Sequence, residues 1–215
     1  MNCCHCQGVE QVFDRDRAFK QLDRYRKNGL EKTTRILIDA LLAEGVDSPS
    51  LLDIGGGIGA IQNELIKHHV QHATNFEASL GNIEACRDEA ERQGHGEAIT
   101  HLHGDFAEIE REVPSADIVT LERVLCCYPD LEGLLAPSCA KSGKLLGLVY
   151  PHEAWWVKLG IRYVLNLGLR LSRNPFRVFV HPTAEVERVV KNHGFERRFF
   201  RKVGPWQVVV YAKSS

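Results

Sequence analysis

Apolar and polar positions change rhythm twice along this chain. Residues 12–44 carry a helical period broken around Asn28-Gly29, and in its second half Ile36, Leu37, Ala40 and Leu41 share one face with charges opposite. Past Gly45, short apolar runs alternate with helical patterns. The runs cover 50–54, 72–77, 98–103, 116–121 and 144–150, with helix-like segments between them at 58–69, 80–93, 106–110 and 131–140. That alternation predicts parallel strand–helix–strand units and a sheet covered on both faces. The end of the chain differs. A helical pattern over 182–193 is followed by two β-like runs, 195–202 and 206–212, joined by Val203-Gly204-Pro205. So short a turn requires antiparallel pairing. The fold class expected is α/β: a Rossmann-like, doubly wound seven-stranded sheet with a terminal antiparallel hairpin, plus an N-terminal helical segment. That segment takes residues 1–45, and the main domain takes 46–215 with a helical insertion near 152–177.

Composition narrows the function more than the fold. With 215 residues, 44% hydrophobic and 26% charged, the chain has globular proportions and room for one domain of ordinary size. Lys+Arg 27 against Asp+Glu 28 leaves a net charge of -1. No global field draws the protein to nucleic acid, so no such partner is expected. The stretch 154–171 is interrupted by Lys158, Arg162 and Arg170, which makes it a poor membrane span. The N-terminus lacks the apolar run of a signal peptide, and the seven cysteines then read as mostly reduced thiols of a cytoplasmic protein.

The most informative stretch is Leu51-Leu52-Asp53-Ile54-Gly55-Gly56-Gly57-Ile58-Gly59-Ala60. A strand runs into glycines and a helix starts directly after them. Without Cβ atoms the turn can adopt positive φ and let a ligand lie against backbone N–H groups. Gly55 to Ala60 also satisfies the dinucleotide pattern G-x-G-x-x-A, with Glu77 at the distance of a ribose-binding acid, so an NAD(P)-linked oxidoreductase is the alternative. Three features point away from it. Asp53 stands two residues before the first glycine and favours a cationic ligand; Asp105 and Phe106 follow the third strand, suited to a purine; and the sheet closes with a hairpin.

At these residues the chain resembles the class I S-adenosylmethionine-dependent methyltransferases, over roughly residues 51–211. Asp53-x-Gly55-x-Gly57-x-Gly59 matches that family's first motif, and Gly56 within it is taken with them as cofactor-binding. Glu77 matches the acid on the ribose hydroxyls, Asp105-Phe106 the pair around the adenine, and Glu122 lies in the segment along the methionine part. The cofactor implied is S-adenosyl-L-methionine. The helical N-terminal segment and Tyr128-Pro129 resemble, more loosely, the magnesium-protoporphyrin O-methyltransferases. The resemblance implies transfer of a methyl group to a small or medium-sized acceptor, with O-methylation of an anionic, hydrophobic molecule the first expectation. A non-catalytic cofactor-binding module is the remaining alternative.

Tyr128 and His181 are the candidate catalytic residues, with His152 as a further base or orienting group; Arg123 and Arg177 are candidates to pair with an anionic acceptor. No metal site is expected: His101-Leu102-His103-Gly104-Asp105 begins a metallohydrolase-like motif, but Phe106 replaces the next histidine. Cys3-Cys4-His5-Cys6 reads most plainly as a frayed terminus. A sharper reading joins it to Cys126-Cys127 as a trap for a soft metal or metalloid. Finally, 154–184 holds no acid but carries Lys158, Arg162, Arg170, Arg173 and Arg177, with Trp156, Tyr163, Val164, Leu167 and Leu171 on the opposite helical face. Either a solvated basic face covers a packed apolar one, or 154–173 is a lid over the acceptor or a helix resting on an anionic membrane.

Overall fold

Residues 4–47 and 49–214 are described by a computed structural model, the side chains of 4–7 excepted. The N-terminal thiol cluster Cys3-Cys4-His5-Cys6, and its proposed cooperation with Cys126 and Cys127, therefore lie outside the described side chains. Three helices come first: α1 (Cys4–Val12), α2 (Arg15–Asn28) and α3 (Lys32–Leu42). Then β1 (Ser50–Ile54), α4 (Ala60–Lys67), β2 (His72–Glu77), α5 (Leu80–Gln93), β3 (Ile99–His103), α6 (Phe106–Ile109), β4 (Ala116–Glu122), α7 (Leu131–Lys141) and β5 (Ser142–Pro151) alternate. The insertion consists of α8 (Trp155–Leu159), a π-helical turn Gly160–Leu165 and α9 (Asn166–Leu171). The chain closes with α10 (Thr183–Asn192), β6 (Phe195–Val203) and β7 (Trp206–Lys213).

One seven-stranded sheet runs β3-β2-β1-β4-β5-β7-β6, parallel from β3 to β5 and antiparallel across β5-β7 and β7-β6. This is the expected doubly wound sheet with its terminal hairpin. The central strands are apolar without alternation because both faces are covered. On one side Leu52, Ile54, Leu121 and Leu146 pack with Leu134 and Leu135 of α7 and Val186 and Val190 of α10. On the other, Leu51, Ile118 and Val208 meet Leu37, Ile38 and Leu41 of α3. Each such fully buried side chain contributes about 1.5–3 kcal/mol, so α3 is part of the sheet's own core. The outer strand β6 leaves Arg197, Arg198, Arg201 and Lys202 exposed, which discourages edge-to-edge pairing.

Two local expectations give way. The N-terminus is helical from Cys4, and its reason is tertiary. The Asn174 amide donates to Gln11 Oε1 (3.2 Å), Leu80 N donates to Glu10 Oε2 (3.3 Å), and Phe13 meets the Phe176 ring edge-on at 6.0 Å. The insertion, in turn, does not lay a packed apolar face on the body. Val157 is buried, but Trp155, Val164 and Leu171 are 75%, 76% and 77% exposed.

Candidate active site

The direction of winding switches between β1 and β4, and in open parallel sheets the crevice at the carboxyl ends of the strands opens there. The glycine loop lies at this point. Gly55 N–H donates to Phe76 O on the neighbouring strand at 2.7 Å, fixing the loop's start. Gly55 and Gly57 have φ of +67° and +55°, the left-handed region that side chains disfavour. A Cβ on Gly55 would come 2.4 Å from Val124 Cγ2, whereas one on Gly57 would meet nothing within 4 Å. Gly57 thus borders open space. Gly56 faces the other way: its Cβ would lie 2.2 Å from Gln62 Nε2 and 2.6 Å from Asn75 Oδ1.

Beneath the loop sits a buried polar network. Asp53 Oδ1 accepts from Thr120 Oγ1 at 2.6 Å, and Oδ2 accepts from Gln62 Nε2 at 3.0 Å. Gln62 Oε1 accepts from the Cys86 thiol at 3.2 Å, and Asn75 Oδ1 is buried with no partner. Burial pushes the Asp53 carboxyl up to about 7, against the opposing pull of Thr120 and Gln62. Thr120, Gln62 and Asn75 were not singled out in the sequence. The available signal was polarity out of place: a threonine inside the apolar β4 and an asparagine inside β2.

The remaining acids close the crevice. Glu77 Oε2 accepts from Gly57 N at 2.9 Å, while Oε1 accepts from Ala78 N (2.8 Å) and Ser79 N (2.9 Å). Burial raises its carboxyl and these N–H groups resist the shift. Glu77 therefore braces the glycine loop against the turn after β2. Asp105 caps α6 by accepting from Ala107 N at 3.1 Å, and its Oδ1 also accepts from the Tyr128 hydroxyl at 2.7 Å. The expected adenine acid and the expected catalytic tyrosine are thus one hydrogen-bonded pair. Phe106 departs from expectation. Its ring is 1% exposed and packs edge-on against Phe76 at 5.4 Å, so it supports the crevice from the core and offers no face to a purine. Glu122 Oε1 accepts from Thr34 Oγ1 (2.8 Å) and Thr33 Oγ1 (3.2 Å), which ties the end of β4 to α3. Burial raises its carboxyl, with Arg123 opposing.

The histidines and arginines are already engaged. His181 is buried and its Nε2 lies 3.0 Å from Leu125 O and 2.9 Å from Tyr128 O, so it donates to backbone carbonyls. The expectation of a catalytic His181 gives way to a latch: with Phe179 N donating to Cys126 O at 2.8 Å, it straps 174–181 across the loop after β4. His152 Nδ1 accepts from Ala154 N (3.2 Å) and Nε2 donates to Gly204 O (2.9 Å), leaving neither nitrogen for a proton transfer. Arg123, at φ +61°, pairs with Glu31 at 2.5 Å and donates to Thr33 Oγ1 at 2.8 Å. Arg177 Nη1 donates to the carbonyls of Asn174 and Phe176, both at 2.6 Å. Neither arginine is held out toward an acceptor.

A glycine loop bordering open space, acids at the ends of successive strands, and the β5-β7-β6 hairpin together define a class I methyltransferase fold. The chain belongs to the O-methyltransferase domain family, whose profile matches residues 4–140. It is 28% identical over 141 residues to the ribosomal protein L11 methyltransferase of Hahella chejuensis, covering 64% of this chain and 46% of that relative's length. Magnesium protoporphyrin IX methyltransferase from Synechocystis PCC 6803, solved with bound SAH, superposes with a TM-score of 0.74 at 16% identity, over 98% of this chain and 100% of that one. An O-methyltransferase family protein from Burkholderia thailandensis superposes with a TM-score of 0.73 at 16% identity, over 96% of this chain and 63% of that one. The family match disfavours the nicotinamide alternative.

Proposed function

We propose that this protein binds S-adenosyl-L-methionine at the glycine loop and transfers its methyl group to the oxygen of a small or medium-sized acceptor that is anionic and hydrophobic, a carboxylate foremost. The residues present suit the donor. Gly57 leaves room for a ligand against backbone, and Asp53, Glu77, Asp105 and Glu122 favour a cationic, hydroxyl-rich molecule. Bound there, the donor supplies an electrophilic methyl on a sulfonium. Transfer is an in-line displacement, so the protein's task is to align acceptor and methyl and to exclude water.

The observation that carries the acceptor class is that the candidate bases are held by the protein itself. Both ring nitrogens of His152 meet backbone groups, His181 is buried with its Nε2 on two carbonyls, and the Tyr128 hydroxyl donates to Asp105. A phenol or amine would require a base to accept its proton; a carboxylate is already ionised and requires none. Tyr128 then positions Asp105 and the loop after β4. Peripheral membrane contact through 154–173 belongs to the same reading, as does a cytoplasmic location, which the free thiols Cys86, Cys126, Cys127 and Cys139 favour.

The test is incubation with methyl-labelled donor and matched long-chain acids, alcohols and phenols. The expected product is a base-labile methyl ester that releases labelled methanol. Label found only in base-stable ethers would overturn the carboxylate reading.

A further inference from the structure

The insertion is the part of the molecule whose burial is least complete. Large apolar side chains that are exposed among the described residues concentrate there: Trp155, Trp156, Leu159, Val164, Leu167 and Leu171 stand 45–77% exposed. Elsewhere such residues are scattered singly, as is normal for a surface. A contiguous apolar patch of this kind marks a contact with something else. Its chemistry can be read from the charges around it. No acid occurs from Ala154 to Ala184, and Arg162, Arg170 and Arg173 are exposed with no carboxylate partner among the described residues. Apolar and aromatic side chains interleaved with unneutralised cations fit a surface that is apolar just below a layer of negative charge. That is an anionic lipid leaflet. A protein partner would be expected to place carboxylates against these arginines at fixed positions; the intermixing of cations with exposed apolar and aromatic side chains from Trp155 to Leu171 favours the less structured surface.

Spanning is a different matter. No helix among the described residues is long and apolar enough to cross a membrane, and the helical run breaks into α8, a π-helical turn and α9. The segment would lie in the interface, with Trp155, Trp156 and Tyr163 at headgroup depth. Its base is pinned to the crevice. Asn166 exchanges hydrogen bonds with both backbone groups of Val178 at 2.8 Å, and Phe179 and His181 hold the loop that carries Tyr128.

We infer that residues 155–173 form a peripheral docking surface for anionic membranes, placed so that the crevice opens beside the bilayer and receives an amphiphilic carboxylate partitioned into it. This rests on the methyltransferase reading for the acceptor, but the docking itself does not.

The test is co-sedimentation of the full chain with vesicles of equal parts phosphatidylglycerol and phosphatidylcholine, against phosphatidylcholine alone. Binding is expected to the anionic vesicles, weakening in high salt, with Arg162→Gln and Arg170→Gln each lowering partitioning about fivefold. Trp155→Ser with Leu171→Ser should lower it further while leaving S-adenosylhomocysteine binding unchanged. Absence of anionic-vesicle binding in a chain that still binds S-adenosylhomocysteine would overturn the surface and leave the donor reading intact. The same holds if sedimentation shows a dimer that these substitutions dissociate and no vesicle binding. Vesicle binding without nucleoside binding would instead fault the methyltransferase reading.

Discussion

The donor half of the crevice and the insertion beside it are built on opposite principles. Around the glycine loop nearly every polar group is committed: Glu77 takes three backbone N–H groups, Asp53 takes Thr120 and Gln62, and Asp105 takes Ala107 and Tyr128. Such a network holds a ligand's outline before the ligand arrives, which lowers the ordering cost of binding. From 155 to 173 the side chains are mostly exposed, and Arg162, Arg170 and Arg173 have no carboxylate partner among the described residues. A rigid half fixes the reacting atom of the donor, and an open half can accommodate an acceptor of varied shape. If that contrast is right, substitutions in the first half should damage donor binding or stability, and those in the second should damage neither.

The largest effect is expected at Gly57. Valine there meets no protein atom but must adopt φ near +55° and occupies the space bordering the loop. Donor affinity should fall about 100-fold or more, about 2.7 kcal/mol, with a stability loss of only about 1–2 kcal/mol from the backbone strain. Calorimetry and thermal melting would read the two separately. Gly55→Val should instead unfold readily, because its side chain collides with Val124.

Glu77→Ala comes next. It removes the acceptor for three backbone N–H groups, so donor affinity should drop by about 1.5–3 kcal/mol and the loop should loosen. Hydrogen exchange at Gly57, Ala78 and Ser79 would show the loosening, and unchanged protection there would detach Glu77 from the loop.

A third expectation concerns pH. The Asp53 carboxyl titrates at about 7 in the folded chain and near 3.9, the ordinary value, when unfolded. The protonated form therefore favours folding. That contribution is whole below about pH 4 and is lost as pH rises through about 7, so between about pH 5 and about pH 8 the wild type should lose about 2–3 kcal/mol from this group. Urea midpoints across that window should slope downward in wild type and flatten in Asp53→Asn. The smallest effect belongs to the open half: Trp155→Ser or Leu171→Ser should shift stability by no more than about 0.5 kcal/mol.

The contrast also explains what could be read from the sequence. The seven strands, the hairpin and the positions of Asp53, Glu77 and Asp105 follow from local signals: period, glycine spacing and the acid at a strand's end. What was illegible depends on distant contacts. Phe106 looked like a stacking ring because it follows Asp105, yet the core at Phe76 claims it. His181 looked like a candidate base because it falls in the stretch expected to form a lid, yet carbonyls more than fifty residues away take its Nε2. The amphipathic pattern of 155–171 was plain, but a pattern cannot say whether its apolar face is covered. α1 carries no strong helical signal of its own, and residues 174–176 and the turn after β2 hold it.

The central claim is that the glycine loop reads an adenosyl sulfonium donor, and titration of the wild-type protein with S-adenosylhomocysteine and with NADH in a calorimeter tests it most directly. Saturable one-site binding of S-adenosylhomocysteine with no heat from NADH is the predicted result. Tight NADH binding in a folded protein that ignores S-adenosylhomocysteine would contradict it.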